Sequence, residues 1–127
     1  MAKSVAPLQG CEIGRKETDL RAIVSARRAD EVQNCYHAIA AECIRHQCRR
    51  VLVIGRSVSD AFVHLAGRDA LRAVALAGVP AGFRLALVAA TADLIAIYDT
   101  AVLEAGRLGI TARRFTSEED AVCWLAS

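Results

Sequence analysis

Lysine is nearly missing from this chain: Lys3 and Lys16 are the only two, and every other positive charge is an arginine. The formal net charge is only +2 over 127 residues, too small to imply a nucleic-acid partner. Aromatic residues make up 5%, which leaves no stacking platform for single strands or RNA. The five cysteines (Cys11, Cys35, Cys43, Cys48 and Cys123) form no CxxC or other zinc spacing. An odd number without such spacing speaks against a disulfide framework and for a reducing, cytoplasmic setting. No apolar run is long enough to span a membrane, because Gly78, Pro80, Gly82 and Arg84 break the most hydrophobic window, 73–92. The N-terminal MAKSVAPLQG lacks the apolar core of a signal peptide. GxGxxG, P-loop, GxSxG and HExxH patterns are all missing, so the sequence offers no catalytic motif and implies no cofactor or metal.

What is abundant is apolar surface, 54% hydrophobic residues, much of it alanine. A chain of this length forms one domain with its own core. Residues 11–15 and 20–26 read as two strands joined by a polar turn over 16–19, an antiparallel hairpin. Residues 30–47 carry Val32, Cys35, Tyr36, Ile39, Ala40, Cys43 and Ile44 at helical period, with Asp30 and Glu31 at the positive end of the dipole. VLVI within 50–55 is apolar on both faces, as a central parallel strand is. A helix should start near Asp60, be interrupted around Gly67 and Asp69, and resume to Ala77 before Gly78. Residues 83–89 form a strand, 92–108 a helix closed by Gly109, and 110–115 a strand. Thr116 or Ser117 then caps a terminal helix, with Glu119 or Asp120 completing a capping box. The order β-β-α-β-α-β-α-β-α predicts a mostly parallel five-stranded sheet with one antiparallel N-terminal strand.

Two stretches carry a family likeness. RLALVAA at 84–90, Tyr98, and GITARRFTSEEDAVCWL at 109–125 form one; CEIGRKETDLRAIVSARRADEV at 11–32 forms the other. Together they resemble the STAS fold of anti-sigma factor antagonists, and most closely small stand-alone bacterial STAS-like proteins distantly linked to CRAL-TRIO lipid-binding domains. The resemblance implies a β-α superhelix with most helices on one side of the sheet. It also implies a non-catalytic regulatory module working through protein contact, with a homodimer as the expected form. A carrier for a lipid or other small apolar ligand is the alternative. A phospho-switch is a third reading, but the acceptor motif is incomplete: IGRSVSD at 54–60 has Ser57 and Ser59 without the framing aspartate and glycine.

Gly55, Arg56, Ser57 and Ser59 fall where a central strand meets a helix, a place that suits an anion. Serines there more often serve only as N-caps. Thr91 and Thr116–Ser117 sit at the equivalent ends of the next strands and could share that rim, where open α/β sheets bind ligands; plain capping is again the simpler role. Cys35 and Cys43 belong to the core stripe. Cys48, among Arg45, Arg49 and Arg50, is a loop cysteine whose thiol those charges would acidify. His37, His46 and His64 lack ligand spacing. Arg113 and Arg114 suit an edge strand guarded against aggregation. Finally, if helices cover one face only, Ile23 and half of VLVI need a cover: a dimer partner, the N-terminal segment or an apolar ligand.

Overall fold

A computed structural model describes residues 3–4, 10–56 and 62–127, with the backbone alone for 3–4 and 62–66. The elements run β1 (Lys3–Ser4), β2 (Cys11–Lys16), β3 (Asp19–Val24), α1 (Ala29–His46), β4 (Arg50–Gly55), α2 (Phe62–Ala77), β5 (Arg84–Ala89), α3 (Ala92–Arg107), β6 (Ala112–Phe115) and α4 (Glu118–Ala126). All five expected strands form, and the two-residue β1 adds a sixth antiparallel to β2. The hairpin β2–β3 turns at Glu17–Thr18, with Lys16 opposite Asp19. From β3 onward every pairing is parallel and strand order follows chain order.

That order places the helices. Parallel crossovers share one hand, so strands that advance in one direction send their connecting helices to the same face. Val24, Val51, Val53, Leu85 and Leu87 meet Cys35, Tyr36, Ile39 and Cys43 of α1, Leu71 and Val74 of α2, and Leu94 and Tyr98 of α3 in the larger core. The alternate residues Ile23, Leu52, Ile54, Ala86 and Val88 point the other way and, among the described residues, meet Ala121, Trp124 and Leu125 of α4 together with Phe115. The second face is therefore covered, over its central strands, by the chain's own last helix.

Several local contacts hold α4 there. Ser117 caps it, its Oγ accepting from the Asp120 N–H at 3.3 Å. At the other end Arg84 Nη1 donates to the Trp124 carbonyl at 2.6 Å and to Ser127 Oγ at 2.7 Å. The same guanidinium lies over the Trp124 ring, 5.2 Å from its centroid, and Phe115 contacts that ring at 5.7 Å. A cation at the carbonyl end of a helix opposes its dipole. Val122 on the outer side of α4 is 48% exposed. Only one stripe of so short a helix can reach the sheet, and Ala121 and Leu125 occupy it.

The break expected near Gly67 does not occur; α2 runs unbroken from Phe62 to Ala77. A glycine weakens a helix without ending it when its φ stays helical and neighbouring turns pack. Helix α1 has no side-chain N-cap, Arg28 standing at that position, and leans on Asp30 and Glu31 in its first turn. Arg114 on the edge strand β6 pairs with Asp99 at 2.9 Å, and Arg113 lies over Phe115 at 5.3 Å, so both are used within the domain.

A Cβ built on Gly67 meets nothing within 4 Å. Gly67→Ala should therefore raise stability by roughly 0.5–1 kcal/mol, the ordinary helical gain, in urea unfolding.

Candidate functional site

The helical layer is not tightly closed. Between α2 and α3, above β4 and β5, lies a cavity of about 270 Å³. Its floor is Val51, Val53, Leu85 and Leu87, and its sides are Ile39, Cys43, Leu71, Val74 and Ile97. The space exists because small residues stand where large ones would fill it: Ala40 on α1, Gly67 and Ala70 on α2, Ala101 on α3. Polar groups occur in two places. Arg68, Glu104, Arg107 and Thr100 come from the more exposed parts of α2 and α3 and mark the mouth. Tyr36 and Tyr98, both buried, contribute the other polar end.

The two tyrosines form a buried dyad, hydroxyl to hydroxyl at 2.8 Å. Tyr98 can reach this position because β4 ends in glycine: a Cβ on Gly55 would overlap the Tyr98 hydroxyl. A pair of hydroxyls has two protons and uses one between its members. Among the described residues the second proton has no acceptor. Each hydroxyl is therefore paired once, and one donor proton of the pair is left over. Burial pushes the Tyr98 phenol up from 10.0 to about 12. Tyr36 is held well above 10.0, by burial first and then by Tyr98. The dyad is thus a neutral donor set in an apolar wall, suited to an uncharged acceptor oxygen.

Of the residues the sequence singled out, Gly55, Arg56 and Thr91 do come together at the carboxyl rim of the sheet. The Arg56 N–H donates to Val24 O at 2.9 Å, and Ala90 N–H donates to Gly55 O at 3.1 Å. Thr91 is a helix cap, its Oγ1 accepting from the Leu94 N–H at 3.3 Å. Neither this cavity nor a second hollow on the α4 face includes these three residues. Ser57 and Ser59 lie outside the described residues, as does Asp60. The second hollow is bordered by the exposed charges Glu12, Lys16 and Arg21 beside Leu52 and Leu125. Arg21 is already engaged there with Glu118 at 2.6 Å. No group of three or more metal-ligating side chains occurs among the described residues.

The cysteines differ in part from expectation. Cys48 lies in the α1–β4 loop, as expected, and is fully buried there. Its pKa is lowered first by a hydrogen bond from Cys43, with Arg15 helping and burial opposing, and not by its arginine neighbours in sequence. Cys43 is correspondingly raised. Cys11 and Cys35 form a second such pair, Cys11 lowered by the hydrogen bond from Cys35 and Cys35 raised by it. A low thiol pKa has little chemical consequence where no reagent can reach the sulfur. His46 lies 3.1 Å from Glu42, an ordinary helical pair, and His37 is exposed.

Comparison with protein-family models, with curated proteins and with solved structures finds no match to the chain. The STAS-like reading accordingly rests on the sequence pattern alone. No described helix is long and apolar enough to cross a membrane.

Sequence reasoning missed the tyrosine dyad and the cavity. The available signal was modest: the chain's only two tyrosines both fall on apolar helical stripes, facing stretches rich in alanine and glycine.

Thiol accessibility and alkaline stability both test these features. Only Cys123 is exposed among the five thiols. A thiol-specific reagent should titrate one equivalent in the native protein and five in denaturant. For the dyad, the folded state keeps protons that the unfolded chain releases above pH 10, so stability is full below pH 10 and falls as pH rises towards 12. Tyr98 alone accounts for about 3 kcal/mol across that window. Urea unfolding at stepped alkaline pH should show the decline, and a Tyr36→Phe/Tyr98→Phe variant should show less of it.

Proposed function

We propose that this chain is a non-catalytic binding domain for a small, largely apolar molecule that carries one hydrogen-bond acceptor. The observation that carries this reading is the combination of an apolar cavity with a buried hydroxyl proton that has no described partner. At an interior packing density of about 0.74, the roughly 270 Å³ holds on the order of a dozen non-hydrogen atoms. That is near the lower end of ligand cavities and fits a small ligand better than a two-chain lipid. Membership of a STAS-like branch and a cytoplasmic setting belong to the same proposal. The first is supported by the sequence pattern, the second by five unbridged thiols.

A second reading, a regulatory contact module acting as a homodimer, is favoured by Leu76 and Leu103, which are 90% and 67% exposed on the outer helices. A monomer by light scattering across the working concentration range would count against it.

The ligand-binding reading is tested by titrating 2-nonanone into labelled protein and following amide shifts. Signals of Val53, Leu87 and Ile97 should move, and Ala101→Leu, which fills the cavity, should abolish the effect without unfolding the chain. Tyr98→Phe should weaken the ketone about tenfold, the worth of one buried hydrogen bond. If the ketone shifts no cavity signal, the proposal fails.

A further inference from the structure

The mouth of the cavity has a charge arrangement that its apolar walls do not require. Arg68 and Arg72 stand one turn apart on α2, and Glu104 and Arg107 stand on the facing part of α3. Glu104 Oε1 lies 3.6 Å from Arg68 Nε and 3.9 Å from Arg72 Nε, and its Oε2 lies 3.6 Å from Arg107 Nη1. All three separations exceed the 2.7–3.2 Å typical of a nitrogen–oxygen hydrogen bond. One carboxylate therefore stands at ion-pair distance from three guanidinium groups without a contact of hydrogen-bond length to any of them. Of the residues lining the mouth, Arg68 and Arg107 against Glu104 leave an excess of one positive charge, with Arg72 just outside. Glu104 is the most buried of the four, with 15% side-chain exposure against 46–78% for the arginines.

A guanidinium fork is built to accept two carboxylate oxygens side by side, and here several donors are uncommitted among the described residues. We infer that the ligand of this cavity is a medium-chain monocarboxylate, with its apolar body between α2, α3 and the sheet and its carboxylate at the mouth on Arg68 and Arg107. The inference rests on the cavity of the ligand-binding reading above and adds the chemical class, but it moves the ligand's acceptor oxygens from the tyrosine dyad to the mouth and leaves the dyad beside the apolar body. Glu104 would occupy the carboxylate position in the free protein and swing aside when the ligand binds. Size agrees with charge: a nine-carbon acid has about as many non-hydrogen atoms as the space holds. A cationic amphiphile meets repulsion at the same place, and a neutral one gains nothing there.

The experiment compares nonanoate, 1-nonanol and nonyltrimethylammonium on the full chain by calorimetry at neutral pH, each below its micelle concentration. Nonanoate should bind about tenfold more tightly than the alcohol, the worth of a charge-assisted hydrogen bond in partial contact with water. The cation should bind weakest. Glu104→Gln should strengthen nonanoate several-fold and leave the alcohol unchanged, a gain that misfolding cannot imitate. Arg68→Gln/Arg107→Gln should erase the preference for the acid, again with the alcohol unchanged. If the alcohol binds as tightly as the acid, the carboxylate inference is overturned and the ligand-binding reading stands. If no probe binds, the ligand-binding reading falls and the inference falls with it.

Discussion

The one-way advance of the parallel strands governs this molecule. Each step from β3 to β6 moves one place along the sheet. A fixed crossover hand then gives α1, α2 and α3 no choice of side. The central strands are apolar on both faces, because VLVI and LALVA alternate inward and outward without any polar residue. Three helices serve one face, and nine residues of α4 serve the other. The dependence of α4 on Arg84, Phe115 and Trp124 follows from that imbalance, since a helix this short has little apolar area of its own.

On the crowded face, features that cost stability collect in one place. Gly67 lies inside a helix where a methyl group would meet nothing, the dyad carries a spare buried proton, and the helices leave unfilled volume. Each is a feature that a single substitution could remove: alanine for Gly67, phenylalanine for a tyrosine, leucine for Ala101. Sequences that satisfy local rules elsewhere and break them at one spot mark a site under another demand.

Much of the frame is legible in the amino-acid pattern. Period-two and period-3.6 patterns place β2 to β6 and all four helices, because apolar alternation in strands and the stripe from Val32 to Ile44 are local signals. Gly67 misleads because a glycine inside a helical pattern lowers propensity without recording the packing that overrides it. Cys48 misleads for a related reason: its sequence neighbours are arginines, but its spatial neighbours are Cys43 and Arg15. The pattern shows that the second face needs a cover but not that α4 supplies it, since a capped terminal helix carries no local signal of the face it docks upon. The dyad joins Tyr36 to Tyr98 across 62 positions, and the contact depends on a missing Cβ at Gly55. No local pattern encodes such a contact.

The same one-way winding explains why a site is better sought under the helices than at the rim. In open α/β sheets the ligand crevice forms where neighbouring crossovers leave the sheet in opposite directions. From β3 to β6 the order never reverses, so the strand order contains no such switch point. Gly55 and Thr91, which sequence position alone would place at such a crevice, serve the core and a helix cap instead. Helices lying side by side on one face separate by the size of the residues between them, and small residues there create room. In this chain the room opens between α2 and α3, and it is there that an apolar wall, a neutral hydroxyl donor and an excess of guanidinium groups meet.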